Sequence, residues 1–221
     1  MQLGDINNII YPLTCILDGK DERRHNMKLL IISDEESKFI HEYFDRAAFE
    51  GVELTISAGD LNLNYLEFIA TMIPVPLLYV PGNHDTSFSK KPPGGCESIN
   101  GKITTVCGFK IAGLGGCQSQ NPDGIYQLSE KQMSKQVNKL LRKAKNKIDI
   151  FVSHAPSLGL GDGDDYFHKG FACFHEILER AKPKLHIFGH QHSSYGSRRN
   201  NPIHFKESLL YNACGYKIIN V

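Results

Sequence analysis

No apolar run in this sequence approaches the roughly 20 residues that a bilayer-spanning helix needs, and no secretory leader is visible at its start. Neither sign of charge dominates: the formal net charge is +1, with no long block of Lys and Arg. That argues against a bulk polyanion such as duplex DNA as the main partner, because backbone binding needs clustered cations. A single phosphate group is not excluded. No C-x-x-C pair occurs among the six cysteines, at 15, 96, 107, 117, 173 and 214, so their spacing argues against a thiolate zinc site. Repeats, linkers and low-complexity blocks are absent too, and one domain is the simplest organisation. The chain is long enough to need no disulfides, and a cytoplasmic, reducing setting is expected.

What is present is an ordinary globular composition, 41% apolar and 22% charged over 221 residues, enough for a sizeable core. From Met27 onward the chain alternates regularly between strand-like and helix-like segments. Apolar runs predict strands at 29–32, 52–57, 77–80, 148–152 and 185–188, and an antiparallel pair at 103–107 and 109–114 around Gly108. Helical spacing covers 36–50, with Phe39, Ile40, Tyr43, Phe44 and Ala47 on one face, and also 63–72, 129–144 and 171–181. Ser129 reads as an N-cap. The tail from 203 reads as two or three short strands. Residues 1–26 fit this pattern poorly. Asp18-Gly19 suggests a hairpin turn there, and the segment is read as a peripheral N-terminal extension to a single domain over 27–221. Strand–helix alternation followed by strands predicts an α/β sandwich with a mixed sheet.

Five apolar strands end on the same kind of residue. "LIISDEE" delivers Asp34 and Glu36, "LTISAGDL" delivers Asp60, and "LLYVPGNHD" delivers Asn83, His84 and Asp85. "IFVSHAP" delivers His154, and "LHIFGHQH" delivers His190 and His192. Ligands of α/β sheets bind beyond the carboxyl ends of the strands, so these groups are expected to converge. All are hard or borderline metal ligands, and there are more of them than one cation needs. Alone, an Asp-x-Glu after a strand is ordinarily a helix cap, and a lone Ser-His a satisfied imidazole. Together, in order and at strand ends, they point to a metal centre.

These blocks resemble those of the calcineurin-like metallophosphoesterase superfamily: D-x-H, GD, GNH[DE], a later strand-end His and G-H-x-H. The matching residues here are Asp34-Glu35-Glu36, Gly59-Asp60, Gly82-Asn83-His84-Asp85, His154 and Gly189-His190-Gln191-His192. The segments "SHAPSLGLGD" and "KPKLHIFGHQHSSYG" also look like the small class III branch. The resemblance implies a four-layer αββα sandwich with two mixed β-sheets. It implies a dinuclear metal-dependent phosphoesterase that hydrolyses a small phosphomonoester or phosphodiester by attack of a metal-bound hydroxide. Asp34, Glu36, Asp60 and His192 would hold the first cation, and Asp60, Asn83, His154 and His190 the second. Mn²⁺ is the expected ion, with Fe, Zn, Mg and Ni as alternatives. His84 would protonate the leaving oxygen and Asp85 would orient it. Imidazoles as a class titrate near neutrality and suit that task. A neutral Asn83 ligates without repelling a phosphate.

The first block departs from the pattern, because Glu36 stands where the family has His. Three carboxylates would then face two dications in place of two, which favours a harder ion there. The same departure supports the alternative of a non-catalytic binding or scaffold protein with a degraded metal site. No Arg follows Gly59-Asp60, which tells against a protein phosphatase; Asn62 is a weaker candidate for a phosphate contact. The loop "GLGDGDDYFHKG" is placed to cover the site, with His168 a candidate for substrate contact. Its acidic run lacks the closing Glu of a calcium loop. Arg198 and Arg199 are candidate phosphate clamps. His186 alternates with Leu185 and Ile187 and is expected on the opposite sheet surface.

Overall fold

The structure is a computed structural model that describes residues 26–118, 124–192 and 201–221. The suggested hairpin at Asp18-Gly19, and Arg198 and Arg199, lie outside these residues. No helix among the described residues is long and apolar enough to cross a membrane.

Two sheets carry the fold. In the first, β1 (Lys28–Ser33), β2 (Leu54–Ser57), β3 (Leu77–Tyr79) and β4 (Glu97–Ser98) run parallel, and β13 (Gly215–Asn220) closes the β1 edge antiparallel. In the second, β6 (Phe109–Leu114), β9 (Ile150–Ser153), β10 (Leu185–Phe188) and β12 (Ser208–Asn212) run parallel. Antiparallel β5 (Ile103–Val106) and β11 (Ile203–Phe205) form its edges. A small parallel pair joins β7 (Cys117–Gln118) and β8 (Gln127–Leu128).

Strand alternation sorts the side chains into layers. Leu29 and Ile31 of β1 share one core between the sheets with Leu54, Ile56, Ile111, Ile150, Val152 and Ile187. Leu30 and Ile32 face the other way, toward α1 (Lys38–His41) and α2 (Leu63–Met72) through Ile40, Tyr65, Leu66 and Ile69. Ala112, Leu114 and Phe151 likewise meet α3 (Glu130–Ala144) and α4 (Phe174–Arg180). The result is the αββα arrangement. It explains why the central strands read as unbroken apolar runs: both of their faces are covered. Each fully buried Leu, Ile or Phe contributes about 1.5–3 kcal/mol of transfer free energy.

Helix α3 begins as expected. The Ser129 hydroxyl receives Gln132 N–H while the Gln132 side chain accepts from Ser129 N–H, a reciprocal cap. Met133, Val137, Leu140, Leu141 and Ala144 fill its buried face. The helix expected over 36–50 does not form as one piece. After α1 the chain turns, and a separate 3-10 turn covers Arg46–Phe49. The Asp45 side chain accepts Ala47 N–H at 3.0 Å, a local bond that competes with helix continuation. Phe44 reaches the core by stacking on Phe49 at 5.5 Å, so its helical spacing came from a folded-back loop. Tyr43, placed on the apolar face by spacing, is 69% exposed.

His186 faces the helix side of its sheet, with its ring 4.7 Å from that of Phe151. The Ser153 hydroxyl donates to Ala155 O at 2.6 Å, so its oxygen receives the His186 Nε2–H at 2.8 Å. Burial, aided by the His175 charge, pushes His186 from 6.5 down to about 3. Folding thus favours the neutral ring. Its contribution is whole above pH 6.5 and is lost as pH falls toward about 3. In urea unfolding between pH 7 and pH 4, His186→Phe is expected to flatten the acid limb by up to about 1.4 kcal/mol per pH unit. An unchanged slope overturns this assignment.

Candidate metal centre

The parallel strands of both sheets present their carboxyl ends at one rim. Asp34 follows β1, Asp60 follows β2, Asn83 to Asp85 follow β3, His154 follows β9 and His190 follows β10. Contacts across the rim join the two sheets. Both carboxylate oxygens of Asp34 accept the His190 backbone N–H at 3.0 Å. Asp60 Oδ2 lies 3.2 Å from His154 Nε2.

His154 is oriented from behind. Its Nδ1–H donates to Ala58 O at 2.8 Å, which aims Nε2 at Asp60 Oδ2 and at Asn83 Oδ1, 3.1 Å away. An octahedral ion bound at about 2.1 Å sets neighbouring ligand atoms about 3.0 Å apart. His154 Nε2 already stands near that spacing from each of the two oxygens. His190 completes the group, and Asp60, His154 and His190 each offer an atom within 4.8 Å of the others. His190 Nε2–H donates to Phe167 O at 2.8 Å, so Nδ1 remains its acceptor. A carboxylate, an amide oxygen and two imidazoles suit the divalent cation that the fold implies.

Two local devices aim these groups. Asp34, Asp60 and His190 all adopt left-handed backbone, with φ of 61°, 57° and 66°. Each costs about 1–2 kcal/mol for a residue with a Cβ, and each re-aims the side chain just past its strand. Glycine supplies the other device. A Cβ on Gly82 would collide with the Asp60 carboxylate and stand 2.7 Å from His154 Cε1.

Charge holds the group together. Burial works to raise the Asp60 carboxyl, but the His154 charge and hydrogen bond, with the His84 N–H, outweigh it and hold Asp60 at about 2. Burial works to lower His154, but the Asp60 charge and hydrogen bond lift it to about 9. Asp34 is raised by burial against the pull of His154. His190 falls to about 3, through burial and then the His154 charge.

Other residues singled out by sequence take varied positions. His84 is exposed and is tied to the site through its backbone N–H, which donates to Asp60 Oδ1 at 2.8 Å. Asp85 was expected to orient the His84 ring. Instead its Oδ2 accepts the backbone N–H groups of Asp60 at 2.8 Å and Gly82 at 2.7 Å. Its buried carboxylate thus clamps the β2 and β3 turns together. Burial and the Asp60 charge, against these bonds, raise it to about 6. Asn62 caps α2, accepting Asn64 N–H at 2.8 Å. His168 Nδ1 pairs with the Asp165 carboxylate at 2.9 Å, and its ring lies 5.4 Å from that of His190. Glu36, expected in the imidazole slot, is exposed. Its neighbour Glu35 turns inward, with Oε1 3.7 Å from His192 Nδ1. Glu35, His192 and Cys214 form a second cluster whose ligand atoms lie within 4.8 Å of one another. The pattern D-E-E offered two acids for one slot. Cys214 carried no signal, because pairing across the fold at the end of β1 brings it there.

The sequence model of the family described as calcineurin-like phosphoesterase matches residues 2–194. The chain belongs to this family. Human metallophosphoesterase domain-containing protein 1 is 28% identical over 155 residues, 64% of this chain and 45% of that protein. A UPF0046 protein of Caenorhabditis elegans is 33% identical over 78 residues, 33% of this chain and 27% of its own length. The chain thus spans less than half the length of the curated relatives it matches. The crystal structure of TT1561 of Thermus thermophilus superposes with a TM-score of 0.59 at 12% identity, covering 89% of this chain and 98% of that one. That likeness speaks for the fold. With the clustered ligands, the family match makes this a member of the calcineurin-like phosphoesterase family with a candidate divalent-metal centre.

Gly82→Ala tests the close approach. The added methyl must displace the Asp60 carboxylate, so Mn²⁺ affinity by isothermal titration should fall at least about tenfold, the minimum cost of disturbing a ligand's support. Unaltered affinity would show that Asp60 lies outside the centre.

Proposed function

We propose that the chain is a metal-dependent phosphoesterase that favours phosphodiesters over phosphomonoesters. The supporting observation is the meeting of Asp60 Oδ2, Asn83 Oδ1 and His154 Nε2, with His154 Nε2 3.1–3.2 Å from the other two. Two divalent cations, when bound, supply Lewis acidity to the phosphoryl oxygens and acidify a water. Asp60, Asn83, His154 and His190 would hold one of them. Asp34, Glu35 and His192 stand beside that group for the other. His84, anchored by its N–H to Asp60 and exposed at the mouth, would give its proton to the leaving oxygen. Asp85 keeps His84 and Asp60 in register by clamping the two turns beneath them.

The charge of the site supports the diester preference. Asp34, Asp60 and Glu35 place three carboxylates against two dications, leaving at most one net positive charge. A phosphomonoester carries about −1.5 to −2 at pH 7, whereas a diester carries a single negative charge. The weaker field suits the diester. A binding or scaffold role is the second reading, favoured by the exposed Glu36, which leaves the family's first imidazole slot without an inward side chain.

Hydrolysis of bis-p-nitrophenyl phosphate and p-nitrophenyl phosphate with added Mn²⁺ or Zn²⁺ separates the readings. The diester should turn over faster. His84→Ala should lower kcat by about 10²–10⁴, and Asp60→Asn should remove activity with either ion. Turnover of neither ester by protein that binds metal selects the scaffold reading. Full activity in His84→Ala would remove the acid role assigned to that ring.

A further inference from the structure

We propose that Glu35, His192 and Cys214 form a metal position ligated through a cysteine thiolate, and that it takes a thiophilic cation such as Zn²⁺, Fe²⁺ or Co²⁺. It deepens the metal-dependent reading above and rests on it for placing two cations at one rim. Neither Glu35 nor Cys214 stands in the motif positions that resemble the family's ligands.

The geometry fits. The three ligand atoms lie within 4.8 Å of one another, and His192 Nδ1 is 3.7 Å from Glu35 Oε1. A tetrahedral zinc with Zn–N and Zn–O bonds near 2.0–2.1 Å and Zn–S near 2.3 Å separates its ligand atoms by about 3.3–3.6 Å. Shifts of about an ångström bring the trio to that spacing, and the side chains of Glu35 and His192 are both partly exposed.

The backbone behind the trio is built to hold it. Buried Asn212 donates from Nδ2 to Gln191 O at 2.8 Å, and its Oδ1 accepts Cys214 N–H at 3.0 Å. One amide therefore ties the loop of His192 to the turn of Cys214. The bridge between Ser33 and Cys214 fixes that turn beside the end of β1, from which Glu35 projects. Asp34 links the two metal positions, since it accepts from His190 N–H and also lies within the fields of Asp60 and His192. Lys217 stands behind, with Nζ 3.4 Å from Cys214 O; burial lowers its amine while Cys214 and Glu35 pull it up. It supplies a nearby positive charge for an anionic thiolate. On binding, Sγ releases its proton to solvent and forms the metal–sulfur bond. Thiolate ligation selects zinc, iron or cobalt over Mn²⁺ and Mg²⁺, the reverse of the preference expected from an extra carboxylate alone.

The test uses the full chain, stripped with chelator and titrated with Co²⁺. Wild type should develop near-ultraviolet thiolate-to-cobalt charge-transfer absorption, and Cys214→Ser should lose it. Zinc affinity should fall at least about tenfold in Cys214→Ser and in Glu35→Gln, since even residues that only support a ligand cost about that much. Glu35→Gln should keep the charge-transfer band, and Asp60→Asn, which disturbs the neighbouring position, should keep it too. Cobalt bound without a charge-transfer band in wild type, or with a band that survives Cys214→Ser, overturns the proposal. The wild-type spectrum and Glu35→Gln decide the matter if Cys214→Ser fails to fold. Failure to hydrolyse either ester while the band is present would overturn the phosphoesterase reading and leave this site standing.

Discussion

The ion pair between Asp60 and His154 is the constraint on which the rest of the centre depends. It spans the two sheets, since Asp60 leaves β2 and His154 leaves β9. Buried charges survive only when paired and hydrogen-bonded, and both partners meet that condition. Asp60 accepts from His84 N–H, and His154 donates to Ala58 O. The pair, with the Ala58 bond, therefore fixes the ring's orientation, the carboxylate's direction and the separation of the sheet ends together. A cation that binds here takes the place of the Nε2 proton, inheriting a spacing that the protein already imposes.

That spacing demands backbone that most sequences avoid. Nine non-glycine residues among those described have left-handed φ, and three of them are Asp34, Asp60 and His190. At each, a strand has just ended and the side chain must swing from the strand's own direction toward the rim. The local cost is recovered by bonds that only this geometry permits, such as Asp34 accepting the N–H of His190. Strain gathered at one rim, with glycine where two turns nearly touch, is the pattern expected of a functional site over-determined by its surroundings.

Much of this was legible in the sequence because it depends on the order of residues along single strands. Apolar runs set the layers, and a polar residue just past each run had to emerge at a carboxyl end. Asp60, Asn83, His154 and His190 were readable for that reason. The unreadable parts depend on what meets across the fold. Asp85 reads as the natural companion of His84, yet its carboxylate is drawn to two backbone N–H groups that the β2 and β3 turns bring together. The choice between Glu35 and Glu36 turns on one residue's rotation after a left-handed Asp34. Cys214 lies far along the chain from the other ligands and reaches them only through pairing beside β1. The segment 36–50 misled by a different route, since stacked aromatics imitated helical spacing.

The loop between β9 and α4 adds a constraint from outside the sheets. Phe167 O receives the His190 Nε2–H, and His168 O receives the Gln191 side-chain N–H, each at 2.8 Å. Two adjacent residues of the loop therefore hold two adjacent residues of the β10 turn. Asp165 in turn fixes the loop, receiving the N–H groups of Phe167 and His168 and pairing with the His168 ring. The acidic run of this loop thus spends the Asp165 carboxylate on its own backbone and on the His168 ring. Its consequence lies at the metal centre. With Nε2 committed to Phe167, His190 has Nδ1 left to offer a cation, and its backbone at φ 66° accompanies the placing of the ring in one group with Asp60 and His154. The loop, the left-handed turn and the ion pair across the sheets are then three parts of a single geometric condition, and none of them can change without moving a ligand.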